Sequence, residues 1–345
     1  MSNNVVLWVV AALGVVAAPV GAAQSPAATS SYTFETADPA CQAATLVSTG
    51  GRMPANPNTL AIRWIGYANF ELAYKNQVVL LDAAFDRGSI FPPLGFKVAD
   101  VTRADAILIG HGHADHMSDA AAVAARTKAV VVGAPLTTAK LLTQSLDPRQ
   151  IRTVTGRGGE IVTLPGIKIE PVLGRHSVRD TSITVPFEKV LQSLTAPLTP
   201  AQEAEQEPIR RRGVNDPRLT TEGTITYLIT LDNGFQILYR DSAGDVTEFE
   251  RAAMQRVRRI DLAIVALANA YLNTVAAEKA MEYVHAFKPA VFMPAHHDAP
   301  YNDLWRSTEP IFQVMKDENP NLVTVSRGYR EPVCFKTGGS AGPTR

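Results

Sequence analysis

The sequence predicts an α/β fold made of two related αβ halves packed sheet to sheet. Three observations predict it. From residue 59 onward, short runs rich in β-branched and aromatic residues alternate with helical runs, the pattern of strand–helix–strand units. Two segments, 70–82 and 227–241, are both hairpins whose apolar second strand ends in Asp, at Asp82 and Asp241. The most distinctive motif, His111-Gly112-His113-Ala114-Asp115-His116, follows directly on a short apolar strand.

Taken in order, the chain begins without charge: no Asp, Glu, Lys or Arg precedes Glu35. Residues 5–16 are apolar, and Pro19 and Gly21-Ala22-Ala23 follow. This reads as a secretory signal peptide over residues 1–23 with a small-residue cleavage site. The alternative is an uncleaved anchor, since the apolar stretch to Ala23 reaches about the 18–20 residues that span a bilayer. Both export the rest of the chain, to the periplasm or beyond, and no later segment is apolar enough for stable membrane insertion. The only cysteines are Cys41 and Cys334. In an oxidising compartment they can pair as a disulfide; the alternative is two unrelated thiols. Residues 24–57, rich in Ala, Ser, Thr and Pro, form an irregular arm.

Regular structure starts with strands at 59–64, 70–74 and 78–81, with Lys75-Asn76 turning the second into the third. A buried strand at 106–109 runs into His111. A helix at 120–126, a strand at 129–132, a helix at 137–144 and strands at 161–163 and 167–171 follow. Residues 187–222, with Pro197, Pro200, Pro208, Pro217 and Arg210-Arg211-Arg212, interrupt the pattern. They read as an insertion with one or two short helices, either a solvated excursion or a lid. Strands at 224–231 and 235–239 flank Asp232-Asn233-Gly234, a strong hairpin turn. Asp245 and Glu248 form a capping-box-like start for a helix through 258. A strand at 262–266, a helix at 276–287 ended by Pro289, and a strand at 290–293 leading to His296 complete a domain over 58–335. Residues 336–345 are a tail.

Composition narrows the function. With 33 basic and 33 acidic side chains, 46% hydrophobic and 19% charged residues, the chain is globular and lacks the basic excess of a nucleic-acid binder. A small-molecule substrate is the expected partner, no nucleic acid is expected, and the oligomeric state stays open. By chance, an H-x-H-x-D-H motif arises in roughly one of 10⁴ such sequences. On an extended segment His111 and His113 share a face and can reach one metal ion; on a helix they would point about 200° apart. Gly112 lets the backbone leave the strand sharply. Asp115 and His116, past the bend, can face a second ion. Further ligand candidates stand at strand ends: His176, Asp241, and His296 or His297.

These residues resemble the metallo-β-lactamase-fold hydrolases, on the branch with ascorbate-6-phosphate lactonase-like and N-acylphosphatidylethanolamine phospholipase D-like proteins. The matches are Trp64-Ile65-Gly66-Tyr67-Ala68-Asn69-Phe70, Val79-Leu80-Leu81-Asp82, the 107–116 segment, Arg175-His176-Ser177, Tyr239-Arg240-Asp241-Ser242 and Met293-Pro294-Ala295-His296. The resemblance implies a four-layer αβ/βα sandwich. It implies that His111, His113 and His176 bind one divalent ion and Asp115, His116 and His296 a second. Asp241 would bridge them and Asp82 would support the ligand loop. Zinc is the first expectation for both ions, with manganese or iron as alternatives. The implied reaction is hydrolysis of a lactone or carboxylic ester by a metal-bridging hydroxide, with Asp115 relaying a proton and Tyr67, Tyr271 or His297 assisting. The alternatives are a phosphodiesterase acting on lipid or nucleotide-like substrates, and an exported metal-binding protein without turnover.

Overall fold

In the computed structural model, residues 34–177, 198–267, 273–298 and 308–338 are described. The proposed signal peptide at 1–23, residues 187–197 of the insertion, and Tyr271 lie outside them. Strands β1 (Thr59–Trp64), β2 (Phe70–Tyr74) and β3 (Gln77–Leu81) form an antiparallel meander. The β2–β3 turn places both Lys75 and Asn76 at positive φ, 44° and 66°, the twist a two-residue hairpin needs. β4 (Ala106–Leu108), β5 (Val130–Gly133) and β6 (Ile151–Thr153) then add in parallel. Their connections carry helices α1 (Ala114–Met117), α2 (Ala120–Thr127) and α3 (Pro135–Thr143).

The second sheet repeats the plan. β7 (Val162–Leu164) and β8 (Ile167–Gly174) lead, through α4 (Pro200–Arg211) and α5 (Arg218–Glu222), to the hairpin of β9 (Thr224–Leu231) and β10 (Gln236–Arg240). Parallel strands β11 (Ile260–Ala266), β12 (Pro289–Ala295) and β13 (Val323–Thr324) follow, separated by α6 (Glu248–Arg256), α7 (Asn273–Phe287) and α8 (Glu309–Glu318). The last strand, β14 (Pro332–Lys336), returns to the first sheet beside β1. The orders are β14-β1-β2-β3-β4-β5-β6 and β13-β12-β11-β10-β9-β8-β7. Each sheet therefore has an antiparallel hairpin followed by parallel strands, so the two halves are related in topology as well as in their Asp-ended hairpins.

Burial shows why the layers stack. Alternate residues of β1 divide between two cores: Leu60 and Ile62 face the second sheet, against residues such as Ile229, Tyr239 and Ile264, while Ala61 packs with Val123 and Ala124 of α2. On the far side, Ala263 and Val265 of β11 meet Met281, Val284 and Phe287 of α7 and Met315 of α8. Both faces of both sheets are covered, which gives the four-layer αβ/βα sandwich.

Several expectations are corrected. Asp245 does not cap α6. Thr247 does, its hydroxyl accepting from the Glu250 N–H while the Glu250 carboxylate accepts from the Thr247 N–H. Glu250 is the better partner because it is buried and already fixed by Arg240 (2.8 Å) and Thr226 (2.7 Å). Strands β6, β13 and β14 and helix α8 are not among the elements read from the sequence; β6 and β13, of three and two residues, are too short to show a period. The tail beginning at Lys336 is tied to the sheet, with the Thr337 N–H on the Asn58 carbonyl at 2.7 Å. Cys41 and Cys334 are joined in a disulfide, Cα atoms 5.9 Å apart, which ties the arm to β14. Glu71, buried and paired with Arg63 at 3.3 Å, also accepts the N–H groups of Val47 and Ser48 and so holds the arm on β2.

The described part of the insertion is docked rather than solvated. The Gln206 amide of α4 donates to the Arg87 carbonyl (2.8 Å), Arg212 Nε to the Ser118 carbonyl (3.0 Å), and the Val214 N–H to the Gly112 carbonyl (2.6 Å). It packs against the histidine motif itself.

Candidate metal centre

Strand ends gather the candidate ligands. The motif follows β4, His176 follows β8, Asp241 follows β10 and His296 follows β12. The two halves are stitched at the motif, where the Ile225 N–H donates to the Gly110 carbonyl at 2.7 Å. Asp82, at φ 56°, turns its carboxylate under the loop: Oδ1 accepts from the Gly110 N–H (2.9 Å), and Oδ2 meets His116 Nδ1 (2.6 Å) and the Tyr239 hydroxyl (2.6 Å).

Two triads result. In the first, His111 Nε2 is 2.9 Å from His113 Nδ1, and His176 Nε2 is 3.1 and 3.2 Å from those two atoms. In the second, Asp115 Oδ2 lies 3.0 Å from His296 Nε2 and 3.5 Å from His116 Nε2. Both triads are close enough to share an ion, as is the trio His111, His116 and Asp241 between them. Asp241 Oδ2 is 2.5 Å from His111 Nδ1 and 3.3 Å from His116 Nδ1. Its buried Oδ1 has no hydrogen-bond partner among the described residues.

The donors suit a divalent cation. Tetrahedral zinc with nitrogen ligands at about 2.0–2.1 Å separates those ligands by about 3.3 Å, near the spacing of the first triad. Burial, with the neighbouring imidazoles, holds His111 well below its usual pKa and brings His113 down to about 4, so both rings are neutral with free lone pairs. His116 is drawn the other way. Burial opposes its charge, but Asp115, Asp82 and Asp241 outweigh burial and lift it to about 10. Its proton offsets part of the carboxylate charge, a task a cation at Nε2 would take over. Asp241, fully buried, has His116 beside Oδ2 but leaves Oδ1 without a partner among the described residues, an orphaned acceptor that an ion would satisfy.

The remaining candidates fall elsewhere. The His297 ring is stacked on Trp64 (centroids 4.1 Å, 17° between planes), in none of the triads. Tyr67 stands beside His296, ring centroids 5.5 Å apart. Burial and Asp115 raise its hydroxyl pKa well above 10. Gly112 does not serve as a hinge through positive φ; a Cβ there would strike Val214 Cγ2 at 2.5 Å, so it is the insertion's close approach that requires glycine. Sequence reasoning passed over Gly110, where a Cβ would lie 2.0 Å from Asp241 Cγ. It also passed over the backing of the two outer loops. Arg240, buried on Glu250 and the Tyr283 hydroxyl, donates to the Ser242 carbonyl, and Ser242 Oγ accepts from the Ser177 N–H beside His176. Arg87 and Asp298 play the corresponding part near His296.

A family model described as β-lactamase superfamily domain matches residues 77–297. The chain is 24% identical over 270 residues to a UPF0173 metal-dependent hydrolase of Polynucleobacter asymbioticus, across 77% of this chain and 83% of that protein. A protein of the same description from Cereibacter sphaeroides is 31% identical over 118 residues, 34% of this chain and 49% of that one. Among solved structures, the metallo hydrolase Igni18 of Ignicoccus hospitalis superposes with a TM-score of 0.54 at 15% identity, covering 80% of this chain and 98% of that one. At that identity the likeness speaks for the fold.

Proposed function

The chain belongs to the β-lactamase superfamily and is a metal-dependent hydrolase, and on that premise we propose that the two triads hold a pair of divalent ions, zinc first, for hydrolysis of a lactone or carboxylic ester. The observation that carries this reading is the convergence of three histidine nitrogens within 3.2 Å, beside a buried carboxylate with an orphaned oxygen. His111, His113 and His176 would hold one ion, Asp115, His116 and His296 the other, with Asp241 between. Bound divalent ions supply a water of lowered pKa and Lewis-acid stabilisation of developing negative charge.

The chain's own groups do the rest. Asp82 fixes His116 through Nδ1, leaving Nε2 toward the site. The Asp115 side chain is 37% exposed, whereas those of Asp82 and Asp241 are buried, so Asp115 is the carboxylate placed to pass a proton to or from solvent, at Oδ1, since Oδ2 is turned to His296 and His116. Tyr67 keeps its proton at neutral pH and can donate a hydrogen bond to negative charge on the substrate. Its ring, with Phe91 edge-on at 4.8 Å, offers an apolar wall beside the second triad. The lactone preference rests on the resemblance of Trp64 to Phe70, Tyr239 to Ser242 and Met293 to His296 to the lactonase-like branch. Export is part of the proposal; the Cys41–Cys334 bridge supports an oxidising compartment.

The test is a panel of lactones, carboxylic esters and phosphodiesters on zinc-loaded protein, with His113→Ala and Asp115→Ala beside the wild type. The expected result is lactone or ester turnover, lost by at least about 10²-fold in both variants. Turnover of phosphodiesters alone replaces the substrate assignment, and turnover unchanged in both variants defeats the mechanism.

A further inference from the structure

His296 and Tyr67 share an uncommon backbone state. Both are non-glycine residues at positive φ, 53° and 46°. Such residues hold that state only where surrounding contacts over-determine it. The contacts form a short chain. The His296 N–H donates to the Tyr67 carbonyl at 2.7 Å, which also accepts from Trp64 Nε1 at 2.8 Å. The Tyr67 N–H donates to Asp298 Oδ1 at 2.9 Å. Asp298 Oδ2 is held by Arg87 Nη1 and by the Tyr329 hydroxyl at 2.7 Å. The guanidinium lies 4.8–5.2 Å from the ring centroids of Tyr67, Phe91 and Tyr329, and its Nη2 donates to the Pro92 carbonyl at 2.8 Å. Arg87 and Asp298 are 3% and 7% exposed.

A buried ion pair is costly unless its geometry and hydrogen bonds repay desolvation. This one spans 211 residues of chain and ends on the backbone that orients a candidate ligand. Among the described residues no comparable link runs from it to His111, His113 or His176, which are backed by Asp82, Asp241 and the Ser242 loop. We propose that Arg87 and Asp298 are a positioning pair for His296, setting the affinity of the second triad for its ion without acting on the first. The proposal rests on the two-ion reading of the site.

The experiment is a Zn²⁺ titration by calorimetry with chelator competition, on the full protein. Wild type, Arg87→Met, Arg87→Lys and Asp298→Asn are compared, and His113→Ala and His296→Ala identify the two binding steps. Arg63→Met, which breaks another buried pair, with Glu71, controls for general destabilisation. Each variant's metal-free melting curve is recorded. Supporting contacts behind metal ligands typically alter affinity by about 10–100-fold. The expected result is that Arg87→Met and Asp298→Asn weaken the step removed by His296→Ala by that factor and leave the other step unchanged. Arg87→Lys, which keeps the charge, falls between, and it carries the test if Arg87→Met does not fold. Arg63→Met lowers the melting temperature but moves neither step. Equal weakening of both steps, or a folded Arg87→Met with wild-type affinities, overturns the proposal. A wild type that takes up fewer than two ions overturns the reading of the site, and the positioning role with it.

Discussion

Gly110 has no side chain because Asp241 occupies the space one would need: a Cβ would meet its Cγ and Oδ2 at 2.0 Å. Both atoms belong to the Asp241 carboxylate, which is buried and held against His111 and His116, so the clash cannot be relieved as it would be at a flexible tip. Gly110→Ala is therefore expected to destabilise the fold by about 1–3 kcal/mol and to lower bound zinc per chain, measured by denaturant unfolding and metal analysis. Full zinc content in the variant would contradict the assignment of Asp241 to the site. The candidate ligands are legible in the sequence because their chemistry resides in the side chain: His111, His113, Asp115 and His116 announce themselves by type and spacing. Gly110 was not, since its contribution is an absence of atoms. Arg87 and Asp298 were not either, because nothing local relates two residues 211 positions apart.

At the scale of elements, strand ends do the positioning, and strands long enough to show β-rich composition could be read in order. β1, β2 and β9 were placed with their observed bounds. β6 and β13 have three and two residues, and their strand state comes from the neighbour they pair with rather than from their own sequence; β14, as long as β2, is seen as a strand once its pairing with β1 is known. β14 matters most of these, because it closes the first sheet beside β1 and carries Cys334. The disulfide closes a loop across a sequence separation of 293. By constraining the unfolded chain it should contribute about 2–4 kcal/mol. Replacing both cysteines with serine is expected to lower the unfolding free energy by that amount while hydrolysis by the folded protein stays unchanged. An unaltered denaturation midpoint would show that the pairing of β14 with β1 and the hold of Glu71 on the arm suffice without the bridge.

For the whole molecule, two related halves bring their strand ends to one edge. Each half supplies an Asp after its hairpin, but in different roles: Asp82 backs His116, while Asp241 lies between the triads with a free oxygen. The zero net charge fits a small-molecule hydrolase, and the charge that matters is concentrated locally, where Asp82, Asp115 and Asp241 surround a histidine lifted to about 10. The account stands or falls on whether cations occupy that cluster. The direct measurement is an anomalous difference map at the zinc absorption edge from crystals of zinc-loaded protein. Two peaks are predicted. One should lie about 2.0–2.1 Å from His111 Nε2, His113 Nδ1 and His176 Nε2. The other should lie at about 2.0–2.2 Å from Asp115, His116 Nε2 and His296 Nε2. No peak at either triad, or zinc bound only elsewhere on the molecule, would contradict it.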